Sequence, residues 1–324
     1  MELFKSETNV DFMAWRKLSL TLSAVFCVLA AAIIFVRGLD YGLDFEGGAM
    51  IEVKYQTPAE IADVRSALDG AGFEGAVVQS LGVPTDYAIR IKPHVEDASD
   101  ASKAAVESKA ATDKIATEVQ AALSKTRTDV KVTRSDFVGP SVGEELREQG
   151  LVAVLFVILG IMVYLWLRFE WRFAVAAVAS EIHDTLITVG IFALTAREFD
   201  LPALAAVLSV VGYSINDKVV VFDRVREIFR SSRKGEPYEI LNRSINSTMS
   251  RTIMTGLTTG LAVGTLYFVG GPALENFGLI MLIGIFVGTL SSIFFANPIL
   301  LWLGVSKQDL MPKTKEDPEL AARP

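Results

Sequence analysis

Residues 18–36 read LSLTLSAVFCVLAAAIIFV, and residues 37–48 follow as RGLDYGLDFEGG. The first stretch carries no charged side chain, and as a helix rising 1.5 Å per residue it is long enough to cross a hydrocarbon core of roughly 30 Å. A cleaved signal peptide has a shorter apolar region that ends in a small-residue cleavage site. Here the apolar run passes straight into an acidic, glycine-rich motif, so it reads as a retained membrane helix. Five more apolar blocks follow, at about 151–167, 173–196, 201–222, 252–269 and 277–303. Six spans explain the composition of this 324-residue chain, 51% hydrophobic and only 21% charged, which argues against an ordinary soluble enzyme.

The formal charge is −7, from 38 acids and 31 bases, so there is no positive field to recruit nucleic acid. The single cysteine, Cys27, lies within the first span, which leaves no intrachain disulfide, and no zinc-type Cys/His spacing is present. Lys and Arg sort the tails and short loops by side. The tail 1–17 holds three, the turn at 168–172 two, the stretch 223–251 seven and the tail 304–324 four, whereas the turns at 197–200 and 270–276 hold one and none. Both termini and a basic loop at about 223–251 are therefore expected in the cytoplasm. Residues 38–150, between a first span at 18–37 and the other five in 151–303, are expected to form a periplasmic domain.

Within that domain residues 49–55 (AMIEVKY) alternate as a half-buried strand does. Thr57, Pro58 and Glu60 predict a capping box opening a helix that ends near Gly70 and Gly72. Residues 75–81 and 86–92 read as two strands, and Ile115, Val119 and Leu123 give a second helix its stripe behind a solvated tract at 98–113. Residues 129–138 supply the last strand. The order β-α-β-β-α-β is the ferredoxin-like, split βαβ pattern, which carries no activity of its own. His94, Asp97, Asp100 and Asp113 read as solvated surface.

Ionisable residues inside spans are the informative ones, because each is costly in hydrocarbon. Span three carries Glu181, His183 and Asp184, with Glu181 and Asp184 on one helical face alongside Ser180 and Thr188. Helix-to-helix hydrogen bonding explains Glu181 and His183; for Asp184 that reading and a place on a proton path stand even. Span four carries Asp217 and Lys218, about 100° apart round the helix. Lys218 is expected to snorkel to the cytoplasmic interface. Asp217 lies at a depth comparable to Arg251, which opens span five, and a pair between them would suit proton carriage only slightly better than a static ion pair. Gly256, Gly260 and Gly264, at intervals of four, read as a helix-packing stripe. Gly284 and Gly288 repeat it in span six.

GLDFEGG at 42–48, EIHDTLITVGIFALT in span three, VVGYSINDKVVVFDRVREIFR in span four and NSTMSRT before span five occur in order among the six spans. In these motifs, over about residues 1–303, the chain resembles the SecF branch of the SecD/SecF family. The resemblance implies half of a transporter fold of the RND (resistance-nodulation-division) type, completed by six spans of SecD, beside the SecYEG channel. It implies use of the proton motive force, with protons as coupling ion, to promote export of translocating preproteins. Carried over by motif, Asp217 and Arg251 are associated with proton conduction, and Asp184 is a weaker correspondence. Lys218 departs from the family, many of whose members have a small hydroxyl residue there. The motif residues Gly42, Asp44, Gly47 and Gly48 read as a hinge, an anchor or a structural turn where the chain leaves the membrane.

No covalent active site, Walker A sequence, metal site or cofactor is expected. Two competing readings are a non-conducting scaffold for translocase assembly and an RND-type small-molecule exporter; the single small domain speaks against the latter.

Overall fold

The computed structural model describes residues 8–73, 75–81, 83–91, 101–232 and 235–306. His94, Asp97 and Asp100 lie outside them. The chain enters through a 3-10 turn, Phe12–Trp15, into α1 (Arg16–Arg37), then crosses a short α2 (Leu43–Glu46) into an α+β domain. That domain comprises β1 (Gly48–Tyr55), α3 (Ile61–Asp69), β2 (Val77–Ser80), β3 (Asp86–Ile91), α4 (Ala101–Thr126) and β4 (Val130–Val138). The chain continues as α5 (Pro140–Arg168), α6 (Trp171–Leu194), α7 (Leu201–Ser231), α8 (Pro237–Val269) and α9 (Pro272–Ser291), which runs through a π-helical turn, Ser292–Ala296, into α10 (Asn297–Trp302). Six of these rods, with α9 and α10 counted as one, are long and apolar enough to cross a membrane. The starts of α5, α7, α8 and α9 share a cause: each has proline in its first turn, where a missing N–H costs nothing.

The four strands pair antiparallel in the order β2-β3-β1-β4, so β1 and β2 run in the same direction with β3 inserted between them. Alternation decides the buried face: Ile51, Val53 and Tyr55 of β1 point with Val78 and Ile89 onto Val64 and Leu68 of α3 and Val119 and Leu123 of α4. The expected capping box is not formed. Helix α3 starts at Ile61 with Glu60 in the capping position, and Thr57 instead gives its hydroxyl to Asp129 (2.9 Å), which Arg127 clamps from β4's entrance. An ion pair at the strand end outcompeted the local cap.

The segment read as a cytoplasmic loop at 223–251 is helical for nearly all its length, because α7 continues to Ser231 and α8 begins at Pro237. Its charges lie on helix surface, as in the Arg168–Asp223 and Arg224–Glu227 pairs. Likewise α5 starts at Pro140, well before its apolar block, and the tract at 98–113 is helical from Ala101. The motif residue Asn246 holds the N-terminal segment, its side chain receiving Val10 N–H at 2.9 Å and donating to Val10 O at 2.8 Å.

Helices α6, α7 and α9 form the centre, while α1, α5 and α8 leave Phe35, Phe156, Leu261 and Phe268 open. Helix association in lipid relies on close packing, and the tight contacts fall where small residues meet: a Cβ on Gly190 would lie 2.5 Å from Ala30 Cβ, one on Gly284 2.2 Å from Val210, and one on Gly288 2.6 Å from Ser214 Oγ. The α8 stripe is different. A Cβ on Gly256 would meet Thr289 and Tyr213, but one on Gly260 or Gly264 would meet nothing within 4 Å among the described residues.

Candidate functional site

The GLDFEGG motif is strapped to the turn between α6 and α7. Gly42 N–H donates to Phe199 O (2.9 Å), Phe199 N–H to Asp40 O (2.6 Å), and Leu201 N–H, at the start of α7, to Asp44 Oδ2 (2.9 Å). A Cβ on Gly42 would stand 3.2 Å from Asp200 Cβ, so glycine permits the approach. Gly47 and Gly48, at φ 73° and 125°, turn the chain from α2 into β1 through backbone that L side chains rarely adopt. Phe45 stacks on Phe199 in the apolar cluster below. The geometry is that of an anchor.

Arg90 of β3 completes the joint. Its guanidinium donates to Glu46 (2.7 Å) and Tyr41 O (2.9 Å) and lies 3.3 Å from Glu198. Burial pushes the Glu198 carboxyl above its ordinary range, and Arg90 opposes that shift. Asp200, also raised by burial, spends one oxygen capping Ala203 N–H and the other on Asn276.

Inside the membrane the acids sort onto two faces of α7. Asp217 is buried and faces α8, where Thr255 donates to its Oδ1 across 3.4 Å; its Oδ2 has no partner among the described residues. Arg251 is exposed and no ion pair joins it to Asp217, so the expected contact is not made in this structure. Tyr213 sits one turn before Asp217 on the same face.

Lys218 does not snorkel. It is fully buried on the face turned to α6, its ammonium 2.5 Å from Glu181 Oε1, 2.7 Å from Asp184 Oδ2 and 2.7 Å from Ser214 Oγ. Two carboxylates on α6 hold it better than a reach to the interface would. Asp184 Oδ2 also accepts from Ser214 and Ser291 (2.6 Å each), and Oδ1 lies 2.8 Å from His183 Nδ1. The π-helical turn after α9 stacks Phe295 on the His183 ring, centroids 4.1 Å apart.

Glu181 and His183 were legible as polar span residues, but their joint role with Lys218 was not, since the pairing spans two helices. Thr255 and Tyr213 could have been found by helical spacing from Arg251 and Asp217. Nothing in the sequence marks Arg90 as a buried cation, because it alternates outward on a strand whose open face meets the membrane helices.

Comparison with known proteins places this arrangement. The family described as "Protein export membrane protein SecD/SecF, C-terminal" matches residues 118–306, and the "SecD/SecF GG Motif" matches residues 32–59, the stretch that anchors the domain. The chain belongs to the SecD/SecF family of protein export membrane proteins. It is 41% identical to the protein translocase subunit SecF of Pseudomonas aeruginosa, over 95% of this chain and 96% of that one. It is 40% identical to that of Vibrio alginolyticus over 97% and 96%. A crystal structure of SecDF from Thermus thermophilus, described as a translocon-associated membrane protein, superposes with a TM-score of 0.77 at 34% identity over 94% of this chain. This chain spans 39% of that longer one. It is a multi-pass membrane protein with the half-transporter architecture of that family.

Proposed function

We propose that the chain works as the SecF-type subunit of a bacterial protein translocase. In this reading it pairs with SecD beside SecYEG and uses the proton motive force to promote preprotein export after the channel ATPase has acted. It sits in the inner membrane with both termini cytoplasmic, in keeping with sixteen Lys and Arg residues in the tails and short stretches of that side against one in the short turns of the other, the long domain at 38–150 being left out of the count. It needs no cofactor and performs no covalent chemistry; the proton is the coupling ion.

The observation that carries the reading is Asp217: a buried carboxyl in a membrane-spanning helix, with one oxygen in a long contact to Thr255 and the other without a partner among the described residues. An acid that served only to fasten helices would have its acceptors filled. One oxygen left free beside a long contact is what a group needs if it is to gain and lose a proton, and in this reading Arg251, on the facing helix α8, approaches Asp217 in another state of the cycle. Helix α7 carries any displacement to the GLDFEGG joint, because its first turn is hydrogen-bonded to Asp44.

The test is export of a reporter preprotein in SecF-depleted cells carrying wild type or Asp217→Asn, with SecD co-purification as the assembly control. The variant should assemble and fail to export. Normal export with intact assembly refutes proton coupling through Asp217 and favours the scaffold.

A further inference from the structure

The cluster on the other face of α7 has a charge count that Asp217 leaves unexplained. Lys218 and Asp184 are fully buried and Glu181 is 7% exposed. The two carboxylates, if both ionised, and the one ammonium leave one net negative charge among membrane-spanning helices, where net charge is disfavoured. One bound proton makes the cluster neutral.

The hydrogen bonds say where that proton sits. Asp184 is the better-partnered carboxyl: Lys218, Ser214 and Ser291 converge on Oδ2, and His183 Nδ1 lies 2.8 Å from Oδ1. Three donors gathered on one oxygen suit a carboxylate. Glu181 is the opposite case. Its Oε1 takes only the Lys218 ammonium, and its Oε2 is buried with no partner among the described residues. Glu181 also borders a cavity of about 290 Å³ between α1, α5, α6 and α7, lined by Ile34, Ile158, Ile161, Thr185 and Val211. The carboxyl that can accept a proton is thus the one beside open space.

We propose that Glu181 is a second proton-binding site of the transport cycle, with Lys218 and Asp184 as the positioning pair that sets its occupancy at one proton. The inference rests on the proton-driven reading above. The proton adds at Oε2; no other bond is made or broken, and the loss of charge leaves Lys218 to pair with Asp184 alone. The groups that face the cluster are few. Helix α6 contributes His183 and α1 contributes Cys27, within electrostatic range of Asp184. Helix α7 turns Asp217 toward α8 while leaving it within electrostatic range of Lys218, Arg251 of α8 is exposed, and α9 presents Ser291.

Charge counting gives a test that simple fastening of helices does not share. In Glu181→Gln the remaining Asp184–Lys218 pair is neutral with no proton, so the helices stay paired while the site is lost. In Lys218→Thr two carboxylates remain and call for two protons. The double variant keeps neither the site nor its positioning cation. Export in SecF-depleted cells should be lost in Glu181→Gln with SecD co-purification unchanged, and lost in Lys218→Thr and in the double variant. Infrared difference spectra of the purified complex with SecD, taken across acid to neutral pH in the Asp217→Asn background, should show one titrating carboxylic carbonyl band, absent once Glu181→Gln is added. Wild-type export by Glu181→Gln, or a band that survives Glu181→Gln, overturns the proposal. The infrared result stands apart from export, so a failure of the Asp217 reading is distinguishable from a failure of this one.

Discussion

Replacing Arg90 by alanine tests the joint between the α+β domain and the membrane helices. The guanidinium side chain is 8% exposed and serves Glu46, Glu198 and the Tyr41 carbonyl at 2.7, 3.3 and 2.9 Å. Breaking a fully buried ion pair by deleting one partner costs about 3–5 kcal/mol. Here the carboxylate side chains are 39% and 20% exposed, so water screens part of the loss. The lower figure is the better guide, about 2–3 kcal/mol, and it falls on local opening of the joint and not on global unfolding. At 1.4 kcal/mol per decade this is roughly 30- to 150-fold faster amide exchange. The acceleration should appear in residues 41–48 and along β3, with α3 and the far end of α4 unchanged.

The pH dependence follows from Glu198. Burial already raises its carboxyl above the ordinary value of 4.5, and Arg90 is the first influence lowering it. Without Arg90 the folded-state value climbs further, so the folded state binds more protons than the unfolded one at pH values above 4.5 and gains stability as pH falls through that window. The exchange difference between Arg90→Ala and wild type, corrected for intrinsic rate, should therefore shrink from pH 7.5 toward pH 5. An effect below about twofold in exchange, or one that grows in acid, refutes the joint as drawn.

The contact between α1 and α6 predicts that Gly190→Ala, whose new Cβ would stand 2.5 Å from Ala30 Cβ, destabilises the purified protein by about 1–3 kcal/mol. Thermal unfolding in detergent measures this, and Ala30→Gly should recover part of it. At the edge of the sheet the Arg127 guanidinium holds the Asp129 carboxyl down at about 2. A depressed carboxyl contributes stability that is complete above its ordinary 3.8 and is lost as pH falls through 2, so acid titration of the full-length protein by circular dichroism should show a step in that window that Asp129→Asn removes.

The spans, their number and the succession of strands and helices along the chain were legible because each rests on a local period: apolar runs for the membrane, alternation for β1, a stripe at Val119 and Leu123 for α4. The misreadings share a physical origin in contacts between distant segments. Thr57 looked like a helix cap until Arg127 and Asp129, seventy residues on, claimed its hydroxyl. Lys218 looked free to snorkel because its partners, Glu181 and Asp184, belong to another helix. The basic stretch at 223–251 looked like a loop because charge ends an apolar run without ending a helix. Of the motif at 42–48, the glycines were legible as tight backbone, but what they approach, Asp200 and Phe199, was not.

Helix α7 is asymmetric in a way that bears on how a proton could move a domain. On one side it is fixed: Gly284 and Gly288 of α9 admit Val210 and Ser214, and Lys218 is clamped by two carboxylates of α6. On the other side its contact with α8 at Asp217 is a single long hydrogen bond, and a Cβ on Gly260 or Gly264 of α8 would meet nothing within 4 Å among the described residues. The proposed protonation of Asp217 would act at this point of the α7–α8 seam, which lower down is held by Arg224 donating to Ser247 (3.1 Å) and by Val221 and Val225 packed with Leu241 and Ile245; α6, α7 and α9 form the block on its other side. The outer end of that block is tied by Asp44, Gly42 and Arg90 to the α+β domain, about 25 Å from Asp217 at 1.5 Å per residue. Between those ends α7 is continuous, with prolines only in its first turn. Displacement of the block against α8 would thus be delivered to the domain as a rigid motion through the joint, and the Glu181–Lys218 pair, by fastening α6 to α7, is what would keep the two helices from slipping past each other as it passes.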